Sequence, residues 1–144
     1  MKYPTVKFVI SIIFLISLFG CQAPMASIAE DQSAKKFDSI PSKAKIYIYR
    51  KSKLYGSGPL QVFIGGKLCG VTAPATYVVC IVDEGQHTIT SFDPYGKTVA
   101  MKIQAHAGAI YFVEQFKGFS HRLIRTSESE GKKEVLKCRR LLNQ

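Results

Sequence analysis

Three histidines and four cysteines are the side chains of this 144-residue chain best suited to chemistry. His87, His106 and His121, with Asp83, Glu84 and Asp93 near them in sequence, are the candidate metal ligands. None stands at the close paired spacing of a helical zinc site and no CxxC pair exists, so no metal is expected. His87 follows a glycine turn and alternates with Ile89, which suits an imidazole satisfied by a backbone carbonyl. Cys138 sits in LKCRRL, where neighbouring cations would lower a thiol pKa and favour a reactive thiolate. On the apolar face of a helix it would instead pack as a small hydrophobe. There is no GxSxG elbow, and the glycine pairs open hairpins rather than helices, so acyl-transfer and dinucleotide chemistry are unsupported and no cofactor is expected.

Cys21 offers a different chemistry, acylation. It closes an apolar run, Phe8 to Phe19, that follows Lys2 and Lys7 and ends in Leu18-Phe19-Gly20-Cys21. A basic start, an apolar middle, a small residue at the cut and a cysteine form a bacterial lipoprotein signal. The run is shorter than the roughly 20 apolar residues of a spanning helix, so it reads as a cleaved signal over residues 1–20. Acyl chains on Cys21 would anchor the mature chain to a membrane, each buried methylene contributing about 0.8 kcal/mol. Gln22 stands where an aspartate would signal inner-membrane retention, which points to the outer membrane, facing the periplasm. Export leaves no nucleic-acid role.

Cys69 and Cys80 would share that oxidising compartment, where pairing is expected. They lie in KLCGV and TYVVCIV, on either side of a turn centred between Pro74 and Ala75. In a hairpin of that centre they stand opposite each other, with Cα atoms about 4.5 Å apart, inside disulfide range. A slip of one residue would separate them and leave two reduced, buried cysteines.

The elements that must hold these residues are mostly strands. Residues 21–43, the lipidated N-terminus, have mixed polarity and no sustained periodicity, and read as a tether spanning on the order of 25 Å, or as a partly ordered segment with Met25, Ile28 and Phe37 docked on the domain. From Ala44 the pattern alternates: Ala44, Ile46 and Ile48 share one face, Lys45, Tyr47 and Tyr49 the other. LQVFI, then Gly65-Gly66, then KLCGV is a hairpin. TYVVCIV is apolar almost throughout, as in a strand covered on both sides. Further strands follow at His87–Phe92, Thr98–Gln104, AIYFVEQ and HRLIR. The tail changes to helical period over about 127–142, capped by Ser127 or Ser129, with Val135, Cys138 and Leu142 on one face and Gly131 as a weak point.

These segments resemble a group of bacterial lipoproteins known as domain of unknown function 2846. The resemblance runs through AKIYIYR, VFIGGKLCG, TYVVCIV, EGQHTI and HAGAIYFVEQ, from about Ala44 to Gln115. Glu84 stands where that family often has proline, and Phe112 where it often has a second tyrosine. EGQHTI also looks like the corresponding turn of PEGA-type envelope domains. The resemblance implies an envelope β-sandwich and carries no activity.

The reading is therefore one domain over residues 44–144: mainly β, an antiparallel Ig-like or transthyretin-like sandwich of seven or eight strands with a C-terminal helix. Its expected role is a membrane-anchored, non-catalytic binding module. The alternative is a metal- or thiol-dependent enzyme using His87, His106 or Cys138. The chain carries 20 Lys+Arg against 10 Asp+Glu, and loss of Lys2 and Lys7 leaves 18 against 10. That excess draws a protein to anionic lipid, glycan or an acidic envelope protein, or merely keeps it soluble. The candidate contact surface is Tyr47, Tyr49, Arg50 and Lys51 with the basic tail Lys132, Lys133, Lys137, Arg139 and Arg140.

Overall fold

The computed structural model describes residues 24–51 and 58–144. The expected signal at 1–20 and the expected acylation site, Cys21, lie outside the described residues. Among those described, no helix is long and apolar enough to cross a membrane.

Among the described residues, nine strands make two sheets. They are β1 (Ala44–Tyr49), β2 (Leu60–Ile64), β3 (Lys67–Thr72), β4 (Thr76–Val82), β5 (Gly85–Phe92), β6 (Thr98–Ala105), β7 (Ile110–Lys117), β8 (His121–Thr126) and β9 (Arg139–Arg140). One sheet has the order β8-β7-β1-β4-β9 and the other β3-β2-β5-β6. Most pairs are antiparallel, but β1 lies parallel to β7 and β4 parallel to β9. The cause is the path of the chain: after β5 and β6 in the second sheet, it re-enters the first on the far side of β1. Between the sheets lies the main core, with Ile46, Ile48, Val62, Val78, Ile89, Ile103 and Val113.

Two helices, α1 (Ile28–Ala34) and α2 (Glu128–Leu136), form a third layer on the other face of the first sheet. This layer is why AKIYIY and TYVVCIV are apolar on both faces. Tyr47, Tyr77, Val79, Phe112, Val135 and Cys138 form a second core beneath it, with Phe37 packed against it.

Residues 24–43 are thus no free tether. Ser27 caps α1, accepting from the Glu30 N–H at 3.2 Å while Glu30 accepts from the Ser27 N–H at 2.8 Å, a reciprocal pair that satisfies two helix-end donors. A seven-residue helix is marginal alone and is held here by tertiary contacts. The Asp31 carboxylate accepts from Lys35 Nζ at 2.8 Å, Tyr77 Oη at 2.8 Å and the Arg140 N–H at 3.0 Å. Burial pulls the Asp31 pKa up, but these donors outweigh it and hold it below the ordinary value.

At the other end of the chain, α2 stops at Leu136, short of the expected boundary near Leu142. Its last turn gives way to β9, whose Arg139 and Leu141 N–H groups bond to the carbonyls of Ala75 and Tyr77 at 2.9 Å each. Cys138 and Leu142 therefore lie beyond the helix. Gly131 is no weak point either. A Cβ there would fall 2.1 Å from Phe112 Cγ, so the missing side chain is what lets α2 close onto β7.

The hairpin of β2 and β3 turns at Gly65 and Gly66, both at positive φ (56° and 80°), as a two-residue turn of this hand requires. The Cys69–Cys80 disulfide is present, with Cα atoms 5.9 Å apart. Its setting differs from expectation. β3 and β4 belong to different sheets, so the bond joins the two layers rather than two paired strands. The chain changes sheet at Ala73–Thr76, where Ala75 takes φ 57°, and Cys69 is the extra residue of a bulge between the Val62↔Gly70 and Phe63↔Leu68 pairs.

Candidate functional site

The expected aromatic contact surface is interior. Tyr47 and Tyr49 are fully buried and Arg50 is 3% exposed, so these three do not form a surface. The alternation that put the tyrosines on one face of β1 is correct, but α1 and α2 cover that face. Tyr47 Oη donates to the Ala34 carbonyl at 2.7 Å, and Tyr49 Oη to Thr126 Oγ1 at 3.3 Å. Burial raises both hydroxyl pKa values, that of Tyr47 to about 12. Arg50 Nη1 donates to the carbonyls of Gly58 at 2.8 Å and Thr72 at 3.2 Å, and burial lowers its pKa to about 10. Lys51 pairs with Glu114 at 3.0 Å and Glu130 at 3.5 Å, tying β1, β7 and α2 together.

Much of the basic tail is neutralised where it stands. Lys132 pairs with Glu128 at 2.5 Å and lies over the Phe37 ring, and Lys137 pairs with Glu134 at 2.7 Å. Arg140 Nη1 donates to the Glu30 carbonyl at 3.2 Å. Lys133 and Arg139 are exposed.

The histidines stand apart. His87 has Nε2 2.8 Å from the Asp83 carbonyl oxygen, and His106 is exposed beyond the end of β6. Among the described residues, no three His, Cys, Asp or Glu side chains converge on a metal-sized site. His87, Asp83, Lys67 and Asn143 do line an open groove of about 400 Å³ above the disulfide. The Cys138 thiol is buried and donates to the Arg50 carbonyl at 3.4 Å. Burial, with Glu134 adding to it, pushes its pKa up to about 11. The lysine and arginines beside it in sequence do not activate it.

His121 is the histidine with a nucleophile-like partner, since its Nε2 lies 2.7 Å from Ser91 Oγ. Ser91, however, is 0% exposed, and its Oγ also accepts from Gln115 Nε2. Gln115 in turn accepts from Thr72 Oγ1, and Arg50 donates to the Thr72 carbonyl. The result is a polar chain from β1 through β3, β7 and β5 to β8 that bridges the two sheets. A buried serine with these obligations links the layers.

An exposed basic and aromatic surface exists elsewhere, at the Arg50 end of the sandwich. The 93–97 turn (Asp93-Pro94-Tyr95-Gly96-Lys97) and the β7–β8 hairpin tip lie side by side there. Asp93 Oδ1 holds the turn by accepting from the N–H groups of Tyr95 and Lys97 at 2.9 Å each. Tyr95 is 84% exposed and Phe119, at the hairpin tip, fully exposed. Lys117 Nζ lies 5.3 Å from the Tyr95 ring centre and Arg122 4.8 Å from that of Phe116, whereas Arg125, 5.1 Å from the Tyr111 ring centre, lies toward the other end of β7. Among the described residues, Lys97, Lys117, Arg122 and Arg125 form no ion pair. The sequence signal for this surface was the run FKGFSHR beside the exposed turn DPYG, basic and aromatic residues at loop tips rather than within a strand.

No family model matches the chain. A protein of Haemophilus influenzae, described as an uncharacterized protein, is 31% identical over 121 residues, covering 79% of this chain and 71% of that protein. The two belong to one family. It brings no assigned activity with it.

Proposed function

We propose that the protein is a cell-envelope lipoprotein, acylated on Cys21 and held at the outer membrane facing the periplasm. In this reading it is a non-catalytic binding module of the kind the domain of unknown function 2846 resemblance implies. One observation carries it: the basic start, short apolar run and Leu18-Phe19-Gly20-Cys21 ending. The geometry of the reactive side chains supports the non-catalytic part. Ser91 is sealed, Cys138 is buried with a raised pKa, and among the described residues no ligands converge on His87 or His106. The contact surface in this reading is the basic, aromatic end at Tyr95, Lys117 and Arg122.

Fractionation of cells expressing the full chain tests the anchor. The wild type should sediment with the outer membrane and carry a metabolically incorporated acyl label, whereas Cys21→Ala should accumulate as an unlabelled precursor. A Cys21→Ala protein that is cut and labelled like the wild type would remove the lipoprotein reading.

A further inference from the structure

The structure fixes where the chain leaves the domain on its way to Cys21. The Pro24 carbonyl accepts from the Leu142 N–H at 2.9 Å, Met25 bridges Leu141, and the Ala26 N–H donates to the Arg140 carbonyl at 3.1 Å. Residues 24–26 therefore run along the outer edge of β9. Only Gln22 and Ala23 separate Cys21 from Pro24, a reach of roughly 10 Å at most. On the lipoprotein reading, this puts the β9 edge close against the bilayer.

The opposite edge of that sheet is β8. Four strand spacings of about 4.8 Å separate β9 from β8, and residues 24–26 add one more, so β8 stands about 20–25 Å away from the anchored edge. The β7–β8 tip is also at the far end along the strands. β7 runs parallel to β1 and continues past Tyr49, whereas the chain from Ala26 back to Pro24 heads the other way along β4. The surface of Tyr95, Lys97, Lys117, Phe119 and Arg122 thus points away from the membrane that would hold the protein.

We propose that this surface binds an acidic glycan, a polymer of sugars carrying carboxylate or phosphate. The occupant follows from three features. Cations without ion-pair partners among the described residues complement a repeated anion and lose little in solvation when they meet it. The Tyr95 ring, 84% exposed at the tip of its turn, offers a flat face to the C–H faces of sugars. A protein partner would need roughly 800 Å² on each side with an apolar centre, and rings spaced between cations do not supply one. The bilayer is disfavoured by the separation just derived. The module would then link its own membrane to an acidic polymer in front of it. That link rests on the anchor reading, but the binding surface does not.

The test uses the full chain, purified in detergent micelles, titrated with polygalacturonate, with neutral dextran, with poly-glutamate and with vesicles containing an anionic lipid. Phosphomannan, a polysaccharide carrying phosphate, replaces polygalacturonate in a parallel titration to separate phosphate from carboxylate. Binding to one or both acidic polymers should weaken about tenfold in Lys117→Gln/Arg122→Gln and about threefold in Tyr95→Ser, with unchanged thermal melting. It should also fall steeply between about 50 and 200 mM salt. Equal retention by dextran, or binding indifferent to both variants, would overturn the proposal. So would poly-glutamate binding as tight as the acidic polymers and insensitive to Tyr95→Ser, which would assign the surface to an acidic protein. Vesicle binding lost in the same variants would assign it to lipid. If the chain carries no acyl group, these titrations still decide the surface, and only its presentation away from a membrane is lost.

Discussion

Replacing Gly131 with alanine sets two effects of opposite sign against each other. Gly131 is an interior residue of α2, and alanine there should stabilise the helix by about 1 kcal/mol. The added Cβ, however, would lie 2.1 Å from Phe112 Cγ, 2.3 Å from its Cβ and 2.6 Å from its Cδ1. Those atoms are the root of a side chain, not a movable end. Phe112 is 1% exposed, with the Tyr47 ring at 5.2 Å and the Phe37 ring at 5.8 Å. Relief therefore requires α2 to lift from β7, an overpacking cost at the upper end of about 1–3 kcal/mol or beyond. The steric effect wins. Gly131→Ala should lose about 2 kcal/mol net, a fall in Tm of about 8 °C for a domain of this size. Urea unfolding monitored by circular dichroism measures it, with Ser129→Ala as the exposed control in the same helix. The double variant Gly131→Ala/Phe112→Ala should recover part of the loss relative to the two single losses added. A Gly131→Ala protein that is more stable than wild type would refute the reasoning, as would full additivity with Phe112→Ala.

Other perturbations probe the remaining joints. Cys69→Ser/Cys80→Ser should cost about 3 kcal/mol by the loop-closure estimate, read as a shift in urea midpoint that reductant reproduces in the wild type and not in the variant. Asp31→Ala removes two hydrogen bonds between α1 and the sheet, from Tyr77 and Arg140, together with the Lys35 bond at the end of α1 itself, and should cost about 2 kcal/mol. Because the folded Asp31 pKa lies below its ordinary 3.8, that contribution is present above this value and is lost as pH falls through the lower folded value, so Asp31→Ala should flatten the acid limb. Burial lowers the pKa of His121 from its ordinary 6.5, with Lys117 and Arg50 acting in the same direction and Asp93 against them. The folded protein takes that proton later than the unfolded chain. Stability complete above pH 6.5 should therefore decline below it, and His121→Gln should remove the decline in melts between about pH 7 and 5.

The strands were legible because burial imposes period two. Ile46 and Ile48, Val62 and Ile64, and Val99, Met101 and Ile103 each share a face in the sequence as in the fold. The helical layer was less so. A capping signature, Ser27 with Glu30, was present, but seven residues of mixed polarity carry little periodicity, and their order comes from Tyr47 and Tyr77 beneath them. The same hidden layer misled the site. Tyr47, Tyr49 and Arg50 alternate like an exposed polar face, and only the three-dimensional position of α1, Phe37 and α2 makes that face interior. The disulfide was legible from the expected oxidising compartment and from the nearness of the two cysteines in sequence, although the hairpin register used to place it does not exist. What local pattern cannot give is which sheet a strand joins after a turn. The β7–β8 surface escaped for the complementary reason, being assembled from two turns, at Tyr95 and Phe119, that lie more than twenty positions apart.

The account turns on the N-terminus of the mature chain, and mass spectrometry of the protein extracted from native membranes reads it directly. The account predicts that the N-terminal peptide begins at Cys21 and carries the mass of its acyl chains. A peptide beginning elsewhere, or one beginning at Cys21 with a free thiol and free amine, would contradict it.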